Sequence, residues 1–79
     1  MDLVDLTKYI VTNLVSKPDE VEITINDEKE KVITVKVAEE DVGSIIGRGG
    51  KIANSIRNVV QASAYINNLG KVRVNIDTK

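Results

Sequence analysis

Gly47-Arg48-Gly49-Gly50-Lys51 places three positions without a side chain beside two cations. Nothing beyond Cα obstructs such a bend, so a polyanion backbone can approach the main chain closely. Amide N–H groups left unpaired at the start of a following helix add partial positive charge to that of Arg48 and Lys51. The chemistry that fits is phosphate binding; the plainer use of the same glycines is a tight turn between helices. The surroundings favour binding. From Val42 to Ile76 the chain carries Arg48, Lys51, Arg57, Lys71 and Arg73 and no acidic residue, whereas residues 1–41 carry 5 Lys against 11 Asp and Glu. A net charge of −1 therefore conceals a basic region, and one charged face is enough to hold a polyanion.

Two familiar glycine-rich loops fail on these residues. A Walker-type loop needs a Gly separated by four residues from a Gly-Lys-Ser/Thr triplet, but position 45 is Ile45 and Lys51 is followed by Ile52. A dinucleotide fingerprint needs Gly at the first, third and sixth positions after a strand, yet Gly47 follows a helical run and the sixth position is Ile52.

Composition narrows the other chemistry. The chain has no Cys and no His, which removes thiolate nucleophiles, disulfides, imidazole bases and the common zinc sites. The carboxylates avoid the glycine bend, so no enzyme, metal, cofactor or small-molecule substrate is expected. Tyr9 and Tyr65 are the only aromatic residues, too few for a sheet-surface stacking platform. No apolar run approaches the ~20 residues of a membrane span. The N-terminus, Met1-Asp2-Leu3-Val4-Asp5, is acidic where an export signal would be basic. The expectation is a soluble cytoplasmic protein with no membrane partner, and 79 residues suit a single domain over 1–79.

The bend must be held by elements, and periodicity supplies them. Leu3, Leu6, Ile10 and Leu14 recur at helical spacing, Asp2 can cap the first turn, and Pro18 stops the run. Val21, Ile23 and Ile25 alternate with polar residues over 20–26, as do Ile33, Val35 and Val37 over 31–37. With a polar turn from Asn26 to Glu30, these make an antiparallel hairpin. Glu39, Glu40 and Asp41 complement the positive end of a short helix that carries Val42, Ile45 and Ile46 to a C-cap at Gly47. A second helix starts at Gly50 or Lys51, with an apolar arc wider than a core stripe needs, so a partner surface is expected around Val60 and Ala64. Arg57 shares its polar face with Asn54, Asn58 and Gln61, a face to be solvated or to touch a ligand. Tyr65 is expected to be partly buried at the helix end. Asn67, Asn68 and Gly70 break the helix, and Val72, Val74 and Ile76 alternate as a last strand that turns Arg73 to the open side of the sheet. The order α-β-β-α-α-β predicts an α+β fold, one three-stranded mixed sheet with three helices on one face.

On these residues a resemblance can be stated. Ile45-Ile46-Gly47-Arg48-Gly49-Gly50-Lys51-Ile52 resembles the Ile-Gly-x-x-Gly signature of the KH domain, which clamps four nucleotides beside its GXXG loop. The element order is similar to the type II arrangement. Asp41-Val42-Gly43-Ser44-Ile45-Ile46-Gly47 and Lys51-Ile52-Ala53-Asn54-Ser55-Ile56-Arg57 resemble more narrowly the small bacterial stand-alone KH proteins of the KhpA family. The resemblance implies single-stranded RNA binding, as an RNA chaperone or post-transcriptional regulator linked to envelope growth. It implies Gly47 and Gly50 shaping the loop, Arg48 and Gly49 against the sugar-phosphate backbone, Lys51 in electrostatic support, and Ile46, Ile52 and Ala53 as the apolar groove wall. The opposite wall would be the strand from Lys71 to Ile76 with the loop Asn67 to Gly70. Arg57 is a further RNA-binding candidate. A homodimer, and association with a larger Jag-type KH protein, are implied in the same way.

Overall fold

The computed structural model describes residues 2–79, and its first helix shows how a local cap and distant packing divide the work. Helix α1 (Leu3–Thr12) opens where the Asp2 carboxylate accepts the Asp5 N–H at 2.8 Å, satisfying one of the amides a helix start leaves orphaned. It ends at Asn13, before the expected stop, and Pro18–Glu20 forms a separate 3₁₀ turn. The seam that meets the core is Leu3, Thr7 and Val11. Leu6 and Ile10 are only half-buried and Leu14 is 41% exposed, which corrects the face expected from the leucine spacing. Thr7 can be buried because its hydroxyl donates to the Leu3 carbonyl at 2.7 Å, leaving its methyl to pack.

Strands β1 (Glu22–Asn26) and β2 (Lys31–Val37) form the expected antiparallel hairpin, with Ile23 opposite Val35 and Ile25 opposite Ile33. Strand β3 (Val72–Thr78) lies parallel to β2, with Val74 beside Ile33 and Ile76 beside Val35, so the sheet is mixed and β3 is an edge. Parallel neighbours cannot be joined by a tight turn. The connection here is helix α2 (Val42–Ile46), a 3₁₀ turn over Arg48–Gly50 and helix α3 (Lys51–Ile66).

The core lies between the helices and the sheet face that carries Ile33, Val35 and Val37, all fully buried, with Ile45, Val60 and Ala64 at 0% exposure from the helical side. Each large aliphatic side chain removed from water in this way contributes roughly 1.5–3 kcal/mol. The burial of Val60 and Ala64 corrects their expected role as a partner surface. The large aliphatic residues α3 leaves outside are Ile52, Val59 and Ile66. The acidic run also departs from expectation in one member. Glu39–Asp41 forms a 3₁₀ turn ahead of α2, and Asp41 is buried at 3% exposure instead of merely facing a helix end. Its carboxylate accepts the Ser16 N–H at 2.9 Å, the Ser16 hydroxyl at 2.8 Å and the Lys17 N–H at 3.1 Å. The loop after α1 is thereby tied to the start of α2.

Candidate nucleic-acid interface

Helix α2 ends because Gly47 adopts φ +73°, ψ 178°, with its N–H closing onto the Gly43 carbonyl at 2.9 Å. A left-handed φ favours glycine, and space demands it independently. A Cβ on Gly47 would stand 2.6 Å from Ile52 Cγ1 and 2.9 Å from Ile52 Cβ. Gly49 (φ +65°) and Gly50 (φ +78°) follow with the same handedness, and a Cβ on either would meet no atom within 4 Å. The two glycines therefore face open space at the tip of the loop, while Gly47 is pinned against Ile52 at its base.

The amides of the bend are divided. The Gly50 N–H donates to the Gly47 carbonyl at 3.2 Å and the Lys51 N–H to the Arg48 carbonyl, so two of the donors expected to be free at the start of α3 are consumed by the 3₁₀ turn. The Arg48 and Gly49 amides, at the apex, are engaged by no hydrogen bond among the described residues. No side chain caps α3, so its positive end stays uncompensated. Arg48 and Lys51 are exposed on either side. Ile46 and Ile52, 40% and 36% exposed, add apolar surface at the foot of the loop. Ala53 does not: at 2% exposure it belongs to the buried stripe Ala53, Ile56, Val60 and Ala64, which removes it from the groove wall.

Past the loop, a groove of about 400 Å³ runs between α3 and β3, bordered by Arg57, Asn58 and Gln61 on the helix and by residues 72–75 on the strand. The polar face of α3 is fastened to that strand. Arg57 Nε–H donates to the Val74 carbonyl at 3.1 Å and Arg57 Nη1–H to Asn54 Oδ1 at 3.1 Å. Gln61 donates to the Gly70 carbonyl at 2.9 Å and accepts the Val72 N–H at 2.9 Å. The sequence put Arg57 on the face that could meet a ligand but gave no sign of the Gln61 clamp, whose partners lie nine and eleven residues away. Arg73 points to the open side as expected and pairs with Glu30 at 3.2 Å, although the groove reaches it. Tyr65 is not partly buried as expected; its residue is 61% exposed. Among the described residues no three His, Cys, Asp or Glu side chains gather as a metal site would require, and no helix is long and apolar enough to cross a membrane.

A second concavity of about 420 Å³ lies between α1 and α3. It is almost wholly apolar, with Leu6, Ile10 and Leu14 on one side, Ile52 and Val59 on the other, and Tyr9, 63% exposed, on its rim. Ile52 is common to this concavity and to the base of the glycine loop.

Residues 4–76 match the family model described as KhpA/KhpB, KH domain. Among curated proteins, the RNA-binding protein KhpA of Borreliella burgdorferi is 44% identical over 62 residues, covering 77% of this chain and 76% of the relative. The RNA-binding protein KhpA of Clostridium acetobutylicum is 41% identical over 64 residues, covering 80% and 85%. Among solved structures, Era in complex with MgGDPNP and nucleotides of 16S ribosomal RNA superposes with a TM-score of 0.71 at 16% identity. That match covers 98% of this chain and 30% of Era.

Proposed function

The chain belongs to the KhpA/KhpB KH-domain family, and on that membership and the form of its glycine loop we propose that it is an RNA-binding protein of the cytoplasm that grips short single strands. The sugar-phosphate backbone crosses Gly47–Gly50, close to the free Arg48 and Gly49 amides, with Arg48 and Lys51 beside it. The bases descend past Ile46 and Ile52 into the groove between α3 and β3. Most contacts are to the backbone, so sequence preference is modest, which suits an RNA chaperone or post-transcriptional regulator, including one that acts on envelope growth. No step of this role is chemical. The observation that carries the reading is the empty space over Gly49 and Gly50, which the fold does not use.

The test is the double change Gly49→Asp and Gly50→Asp. Asp is among the residues that best tolerate a left-handed φ, so the circular dichroism spectrum should persist, with a stability loss of about 1–3 kcal/mol per site. Two carboxylates would then occupy the path of the phosphates, and fluorescence titration with single-stranded RNA should lose saturable binding. Unchanged affinity in the folded variant would refute the reading.

The apolar concavity between α1 and α3 favours a second role beside the first. A second copy of this chain, or a Jag-type KH protein, would cover Val59, Tyr9 and Leu14, which otherwise stand in water. Sedimentation over a range of concentrations decides for self-association, and a monomer throughout disposes of it.

A further inference from the structure

Arg57 is held in a manner that a merely solvated arginine is not. Its Nε–H is fixed on Val74 of the neighbouring strand and Nη1 on Asn54 of its own helix. A guanidinium has five N–H donors in one plane, so two anchored bonds set the orientation of that plane and leave three donors for something else. Arg57 itself borders the groove between α3 and β3. Of the other polar side chains there, Asn58 and Asn75 are exposed amides that nothing among the described residues anchors. Gln61 is occupied at both ends of its amide by Gly70 and Val72, and Arg73 is paired with Glu30. Arg57 is therefore a preorganised donor fork on the wall where the proposed function places the bases, whereas the phosphates have Arg48 and Lys51 at the loop.

We infer that Arg57 is a specificity-determining residue of this surface, selecting a base whose edge offers two adjacent acceptors; the inference rests on the RNA-binding reading above. Guanine meets the demand with O6 and N7 and cytosine with O2 and N3. Adenine sets an N6 donor beside N7, and uracil sets the N3–H donor between its two carbonyls, so neither satisfies both arms of the fork. A rigid fork discriminates where a flexible ammonium does not, because the entropy of aligning two donors has already been met by the anchors.

The experiment uses the full chain and four fluorescently labelled RNAs: octauridylate, and the same octamer with one central guanosine, cytidine or adenosine. The guanosine or the cytidine octamer should bind about five-fold or more tighter than octauridylate, as a bidentate contact discriminates, and the adenosine octamer should not. The separate guanosine and cytidine arms tell which base fills the groove. In Arg57→Lys the charge remains and the fork is lost, so the ratio should fall to near one. Should that variant unfold for want of its bond to Val74, Asn54→Ala frees one anchor while keeping the arginine and should lower the ratio in the folded protein. Equal binding of all four RNAs, a preference for adenosine, or an undiminished ratio in Arg57→Lys overturns the inference; equal binding is also what a phosphate contact by Arg57 would give. If the wild-type chain binds none of the four, the RNA-binding reading itself falls, a result distinct from binding with a flat base profile.

Discussion

Gly47 is constrained twice, by a φ of +73° and by Ile52 within 3 Å of where a Cβ would stand, whereas Gly49 and Gly50 share the handedness without the crowding. The two kinds of glycine should separate on substitution. Gly47→Ala should cost about 2–4 kcal/mol of stability, from backbone strain and overpacking together, a large share of the ~5–10 kcal/mol available to a domain of this size. Urea unfolding measures it. Adding Ile52→Ala should return only part of the loss, because the Ile52 Cβ is itself 2.9 Å away and the strained φ remains. The glycine bend was legible from its sequence because three glycines and two cations are local facts. Which glycine bears the packing constraint was not, since that depends on how α3 leaves the turn and swings Ile52 back. The same limit hid Thr7, whose polarity in the sequence gave no sign that the Leu3 carbonyl would satisfy it.

At the scale of elements, Asp41 is the tie that orients α2 and so the loop that α2 delivers. The Ser16 N–H, then the Ser16 hydroxyl, hold its carboxyl below the usual carboxylate range against the opposing effect of burial. A folded-state pKa below the unfolded one means that Asp41 adds stability in full above about pH 4 and loses it as the pH falls through the folded value. Asp41→Asn should therefore lower the thermal midpoint at neutral pH and flatten the decline of stability below about pH 4, as melting curves across a pH series would record. Equal acid sensitivity in the variant and the parent would exclude this carboxylate as the cause. Cap, hairpin and strand spans could be read from the sequence because their signals repeat every two to four residues. Asp41 could not, as its partners lie 24 and 25 residues away, and an acidic run beside a helix start already had a sufficient electrostatic explanation. The clamp of Gln61 and Arg57 on β3 was hidden for the same reason: long polar side chains announce neither direction nor partner.

Over the whole molecule, charge is sorted along the chain. The acidic residues crowd into the first 41 positions, and the basic segment from 42 to 76 holds the loop and the groove. Of its five cations Arg73 is already paired with Glu30 and Arg57 is anchored to Val74 and Asn54, leaving Arg48, Lys51 and Lys71 for phosphates. Single-strand affinity should then fall with a log–log salt slope of about −2, at roughly 0.7 per phosphate neutralised, and a flat titration would point to an uncharged ligand. The mixed sheet was foreseeable from element order, because a hairpin followed by two helices and a strand leaves few economical ways to cover one face. The parallel pairing of β2 with β3 has one more consequence. The bend lies within the connection between those two strands, and α3 is fastened to β3 by Arg57 and Gln61. A ribosome that has released everything up to the end of α3 has therefore made every loop residue, yet not the far wall of the groove. On the proposed reading, capture of a transcript waits until β3 emerges and docks, and a nascent chain would not seize the message from which it is being translated before its fold is closed.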